Sequence, residues 1–166
     1  MVVIGLGGNL ADPRRRLCRT LEALAALPDT RLVGHSDLYA SAPVGPQDQP
    51  DFINAVAALE TTLTPLALLD ALQQLENAAG RERHRHWGER TLDLDILLID
   101  NHCVDSDDLQ IPHPQMARRA FVLQPLLEIC PHALLPDGTA LSSFLGQVAD
   151  QPISPLAELD RNALIE

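Results

Sequence analysis

The chain has 166 residues, 46% of them hydrophobic, with no low-complexity tract, which fits one packed domain and excludes a disordered chain. Its formal net charge is −11 and its 12 basic residues are all arginine. The acidic balance argues against general nucleic-acid binding, which needs a basic face, and the lack of lysine excludes a P-loop lysine, a Schiff-base lysine and a pyridoxal-phosphate anchor.

If such a chain handles phosphates, arginine and metal must do it. The opening MVVIGLGGNL has neither the basic region nor the long apolar run of a signal peptide. No stretch approaches the roughly 18 apolar residues of a membrane span. Cys18, Cys103 and Cys130 are far apart and form no C-x-x-C pair, so they read as free thiols in a reducing cytoplasm.

In chain order, VVIGLGG (2–8) is short, apolar and β-branched at its start, a buried strand. Asp12-Pro13 opens a helix as cap and first-turn proline, Leu17, Leu21 and Leu24 share its inner face, and Pro28 stops it. Residues 30–41 alternate loosely as one strand, 42–51 form a Pro/Gly loop, and 52–63 form the next strand. Thr64-Pro65 repeats the cap signal for a helix to about Ala79, with Gly80 as its stop. A polar loop (81–90) leads into a strand at 92–99, and 100–116 reads as mostly loop. Residues 117–130 are helical but interrupted by Pro125, a turn and short helix follow, and 151–166 reads as a loosely attached tail to a single domain at 1–150. The order β-α-β-β-α-β predicts an α+β, ferredoxin-like sandwich.

The strand in GERTLDLDILLID poses the chemical question. Asp93 and Asp95 interrupt a run of Leu92, Leu94, Ile96, Leu97, Leu98 and Ile99. Residues two apart on a strand share a face, with Cα atoms about 6.6 Å apart. Carboxylates so placed repel unless a cation lies between them, and Mg²⁺ favours a few carboxylates plus substrate phosphates. The alternative is an edge strand with both aspartates facing water. The preceding RERHRHWGER adds Arg81, Arg83, Arg85 and Arg90, whose planar forks match phosphate oxygens, although a solvated loop paired with Glu82 and Glu89 would look similar. Trp87 either packs over a ligand when this loop closes or anchors the loop. GLGGNL fails the nucleotide-loop patterns, so its glycines serve close packing or a turn. Arg14, Arg15, Arg16 and Arg19 read as a solvated helix face. His113, rigid between two prolines, is a candidate phosphate donor.

These residues together resemble the 6-hydroxymethyl-7,8-dihydropterin pyrophosphokinase family. The run His86-Trp87-Gly88-Glu89-Arg90-Thr91-Leu92-Asp93-Leu94-Asp95-Ile96-Leu97 matches that family's signature, and GGNL, APVGPQDQPDFINAV and IPHPQMARRAF extend the match to about residues 1–145. The resemblance implies pyrophosphoryl transfer from ATP to a pterin hydroxymethyl group, releasing AMP, in folate biosynthesis by a cytoplasmic monomer. It implies that Asp93 and Asp95 bind two Mg²⁺ ions and that Arg81 and Arg90 steady transition-state charge, with Asp95 also a candidate proton acceptor. Gln73, Glu76, Arg83, Trp87, Ile96, His113 and Arg119 would meet ATP. Ser41, Ala42, Val44, Phe52, Asn54 and Phe121 would hold the pterin. No nucleic acid or membrane is implied as a partner. Three positions depart from the family's habit: Phe52 stands for a tyrosine, Pro114 for an aromatic and Asp108 for an arginine, the last predicting weaker ATP binding.

Overall fold

The computed structural model describes residues 1–43, 45–80 and 91–156. The opening apolar run forms β1 (Val2–Gly8), and α1 (Pro13–Ala25) follows, capped by the Asp12 carboxylate, which accepts the Arg15 N–H at 3.4 Å. Then come β2 (Thr30–His35), β3 (Tyr39–Ser41) and the long β4 (Phe52–Thr61). Helix α2 (Pro65–Ala78) begins where the Thr64 hydroxyl accepts the Ala67 N–H at 3.2 Å. Strand β5 (Asp93–Ile99) carries the aspartates. A small hairpin, β6 (Val104–Asp105) with β7 (Gln110–Ile111), precedes α3 (Ala120–Ile129), and β8 (Ile153–Pro155) closes the described chain.

The main sheet runs β5-β1-β4-β3-β8, with β2 also on β4, and every pairing is antiparallel. Strands β2 and β3 line up end to end along β4 and act as one bent strand. Counted so, the order is the ferredoxin-like one that the sequence predicts. Helices α1 and α2 cover one face, where Leu17, Leu21, Leu24, Leu68 and Leu72 meet Ile4, Leu6 and Leu59. On the other face α3 brings Leu123 and Leu126 against Val3, Val56, Leu97 and Leu98. Two cores therefore sandwich the strands, which is why β4 is apolar on both sides.

Three sequence expectations change, and that of a mostly loop segment at 100–116 gains a hairpin. The single strand expected at 30–41 bends at Ser36, whose hydroxyl accepts the Val56 N–H at 2.9 Å while its own N–H donates to the Val56 carbonyl at 2.8 Å. A side chain thus replaces a backbone partner, and the strand turns there. The expected loop at 100–116 contains the β6–β7 hairpin, pinned by the Ser106 hydroxyl and the Leu109 N–H at 3.2 Å. Pro125 does not interrupt α3; it forfeits one helical N–H donor, a cost met by burial of the proline in the core. The segment expected to be loosely attached begins as β8, paired with β3. Arg14, Arg15 and Arg19 are exposed, as a solvated face requires, while Arg16 is half-buried. The three cysteines are free thiols, and burial pushes Cys18 and Cys130 up from the usual thiol range.

Candidate active site

The site grows from register. In β1, Gly7 pairs with Asn54 on one side and Asp93 on the other; Gly5 pairs with Val56 and Asp95. Directly paired residues point to the same face. Asp93 and Asp95 therefore rise on the α3 side of the sheet, across a glycine strip from Asn54. Two strand spacings, about 10 Å, separate the carboxylate row from the asparagine row. The glycines let neighbouring side chains close in over β1. A methyl group at Gly7 would lie 3.1 Å from the Asn54 Oδ1, and one at Gly5 would touch Leu97 at 3.4 Å.

Asn54 is buried, and its Nδ2 donates to the Ser41 Oγ at 2.8 Å. Phe52, paired with Ser41, stands on the same face one pleat further along. Below them, buried Asn9 donates to Gln49 Oε1 at 3.0 Å and to the Pro50 carbonyl at 2.9 Å. This clamp fixes the Pro/Gly loop that delivers Phe52. Facing the strands, α3 carries Phe121, and the Arg119 guanidinium carbon lies 5.6 Å from that ring's centre.

On the other side β5 is an edge strand. Its register with β1 slips between Val3 and Ile4, so Leu97 and Leu98 both turn into the α3-side core. The Leu97 carbonyl accepts the His113 N–H at 2.9 Å, holding that histidine beside Asp95. The His113 Nδ1 accepts the Gln115 N–H at 3.1 Å. In the neutral ring this leaves Nε2 as the protonated nitrogen, a fixed donor. Burial pushes the His113 imidazole below its ordinary value; Asp95 opposes this and Arg119 reinforces it. Buried Glu76 reaches from α2 to accept the Leu94 N–H at 3.0 Å, between the two aspartates. Beyond this edge opens a cleft of about 720 Å³ lined by Leu69, Asp95, Asp105, Asp107, Asp108 and His113.

Sequence-predicted residues fall into three groups. Asp93, Asp95 and Ile96 lie on β5, to which Glu76 and His113 are bonded; Ser41, Phe52 and Asn54 meet across β3 and β4; Arg119 and Phe121 stack on each other at the start of α3. Asp95 is exposed and Asp93 half-buried. Gln73 and Ala42 are exposed. The Ile96 side chain belongs to the α1/α2 core, so only its main chain faces the cleft. Val44, Arg81, Arg83, Trp87 and Arg90 lie outside the described residues. The ends of the arginine loop are nonetheless tied: the Thr91 hydroxyl donates to the Gly80 carbonyl at 3.3 Å, immediately before the aspartates. Gly5 and Gly7 give the close packing expected of the GLGGNL glycines, while Asn9 and Gln49 carry structure that the GGNL and APVGPQDQPDFINAV matches covered without assigning it a role.

Among the described residues no three His, Cys, Asp or Glu side chains converge on one point. Two carboxylates on one face of an edge strand, Asp95 exposed and Asp93 half-buried, suit Mg²⁺, which keeps waters and takes substrate phosphates as further ligands.

The sequence profile of the 7,8-dihydro-6-hydroxymethylpterin-pyrophosphokinase (HPPK) family matches residues 3–131. The chain is 53% identical to a 2-amino-4-hydroxy-6-hydroxymethyldihydropteridine pyrophosphokinase of Pseudomonas aeruginosa, over 87% of this chain and 89% of that one. It is 49% identical to the protein of that name from Haemophilus influenzae, over 92% and 96% of the two chains. Crystal structures share the fold. An HPPK-DHPS chain in complex with substrates gives a TM-score of 0.66 at 15% identity over 87% of this chain, which spans 42% of that longer one. The wild-type Plasmodium falciparum HPPK-DHPS gives 0.63 at 14% identity, over 88% of this chain and 43% of that one. With the profile spanning most of its length, the chain belongs to the 7,8-dihydro-6-hydroxymethylpterin-pyrophosphokinase family.

Proposed function

We propose that the chain transfers the pyrophosphoryl group of ATP to the hydroxymethyl oxygen of 6-hydroxymethyl-7,8-dihydropterin, releasing AMP, in folate biosynthesis. The observation that carries this is the register of β4, β1 and β5 through Gly7 and Gly5. It sets Phe52 and Asn54 on one side and Asp93 and Asp95 on the other, on the same face of the sheet and one strand apart. A flat heterocycle on one side then presents its hydroxymethyl arm to a polyphosphate on the other.

The hydroxymethyl oxygen attacks the β-phosphorus, the bond to the oxygen bridging to the α-phosphorus breaks, AMP leaves with that oxygen, and the hydroxyl proton passes to solvent or to Asp95. Transfer of this kind is mostly positioning and charge stabilisation and needs no covalent residue. Asp93 and Asp95 would hold two Mg²⁺ ions, which when bound neutralise phosphate charge. His113 donates from Nε2 to a phosphate oxygen. Arg119 supplies a charged fork, and the ring of Phe121 under it helps hold that fork in place. Asn54, locked by Ser41, hydrogen-bonds the pterin edge while Phe52 and Phe121 stack on its faces. Ala42 and Val44 complete that pocket. Along the cleft, Gln73, Glu76 and the Ile96 main chain lie toward the nucleotide. Arg81, Arg83, Trp87 and Arg90 close over the phosphates and exclude water. The enzyme acts as a single-domain cytoplasmic monomer; no helix among the described residues is long and apolar enough to cross a membrane.

Purified protein is incubated with Mg²⁺, ATP and the pterin, and AMP is resolved from ADP. Pterin-dependent AMP that disappears in Asp95→Ala is the expected result. ADP, or AMP formed without pterin, would mean a different phosphate enzyme.

A further inference from the structure

Helix α3 starts at an extended residue, Arg119, whose own side chain gives the helix no cap. The missing cap comes from far along the chain. The Gln151 Oε1 accepts the Ala120 N–H at 2.8 Å, and its Nε2 donates to the Arg118 carbonyl at 2.8 Å. One side-chain amide thus satisfies the peptide groups on both sides of Arg119. It acts as a short strand partner would, fixing the backbone from which the guanidinium and, two residues on, the Phe121 ring project.

The same segment then reaches the opposite wall of the pterin pocket. Ile153 pairs with Ser41 and Ser154 with Ala40, and the Leu156 N–H donates to the Leu38 carbonyl at 2.8 Å. Within a few residues the chain grips both the start of α3 and the strand that locks Asn54. This strap lies beyond the residues matched by the family profile, which ends at 131.

Resting on the phosphate role assigned above to Arg119, we propose that Gln151 is a positioning residue for the transfer, setting Arg119 and Phe121 at their working distance from β3 and β4. Its amide is needed for having one donor and one acceptor, in that order.

The test compares wild type, Gln151→Met and Gln151→Glu for kcat, for KM of both substrates across pH, and for thermal midpoint. Methionine keeps the shape and loses both hydrogen bonds; kcat/KM for the pterin is expected to fall about tenfold, the scale of a small misplacement at a reacting centre. Glutamate reproduces glutamine's donor and acceptor only when protonated. The ratio of Gln151→Glu to wild type should therefore rise as pH falls, while the Gln151→Met ratio stays flat. If Gln151→Met does not fold, the pH dependence of the glutamate variant decides alone. Wild-type constants in Gln151→Met, or a Gln151→Glu ratio that does not rise toward low pH, would overturn the proposal. Failure of the functional assignment shows separately: the wild-type protein would then make no pterin-dependent AMP.

Discussion

Gly7 shows how one residue's identity is set by neighbours it does not meet in sequence. Its missing side chain leaves room for the Asn54 amide, which Ser41 holds from the other end. Gly7→Ala would set a methyl group 3.1 Å from the Asn54 Oδ1, so the amide must shift by a few tenths of an ångström, against the hold of Ser41. The KM for the pterin is expected to rise about tenfold with the KM for ATP unchanged, an effect of the size seen when a positioned polar group is displaced; pterin fluorescence titration checks it. His113 makes a second residue-scale case. Its folded imidazole titrates below the ordinary value, with burial the main cause. Between the two values the unfolded chain binds more protons, so stability rises with pH across that window and is lost as pH falls through the folded value. Urea midpoints from about pH 7 down to about pH 5 should therefore fall more steeply for wild type than for His113→Gln. At this scale the sequence was informative where chemistry is local. Two aspartates at period two announce themselves, and so does a histidine between prolines. The tautomer of His113 and the identity of the side chain packed on Gly7 were illegible, because each depends on a partner fixed by tertiary packing: the Gln115 N–H and the register of β1.

Among elements, β5 carries the most consequence. An edge strand leaves backbone donors unpaired, and here the Glu76 carboxylate takes the Leu94 N–H from across the α2 packing. Glu76→Ala leaves that amide without its buried acceptor, and should cost about 1–3 kcal/mol of stability. A drop in kcat should accompany it, since the strand presenting both aspartates is loosened; urea unfolding and single-turnover assays report the two effects. The helix starts at Asp12-Pro13 and Thr64-Pro65 were legible because a cap and a first-turn proline act within one turn. The bend at Ser36 was not, since a serine hydroxyl replacing a backbone carbonyl looks in sequence like any polar strand residue. Strand β8 escaped notice for a related reason: ISP is too short for periodicity, and it is strand only because β3 offers a free edge.

For the whole molecule the problem is charge. A chain of net charge −11 is read as binding a polyanion, and its edge cleft is lined by Asp105, Asp107 and Asp108. Local arginines and bound cations must overcome that field. Removing one unfavourable exposed charge and adding a favourable one, as in Asp108→Arg, is expected to lower the KM for ATP by roughly two- to fivefold while leaving kcat and the pterin KM in place. Steady-state kinetics at low and high salt test it, and the advantage should shrink as salt rises. The α+β order was legible from alternating periods and caps. The division into two cores was visible only in outline, from the apolar runs in β4 and in the second half of β5 (96–99).

The Thr91–Gly80 clasp has a consequence for how such a protein can change. A stem joined at its base keeps the closure cost of a longer segment between its ends small, about 0.6 kcal/mol per doubling of length. Insertions or deletions between Gly80 and Thr91 that keep Arg81 and Arg90 should then cost the body little through loop closure. The pace and selectivity of turnover can thus be retuned by descent, or in the laboratory, without renegotiating the scaffold.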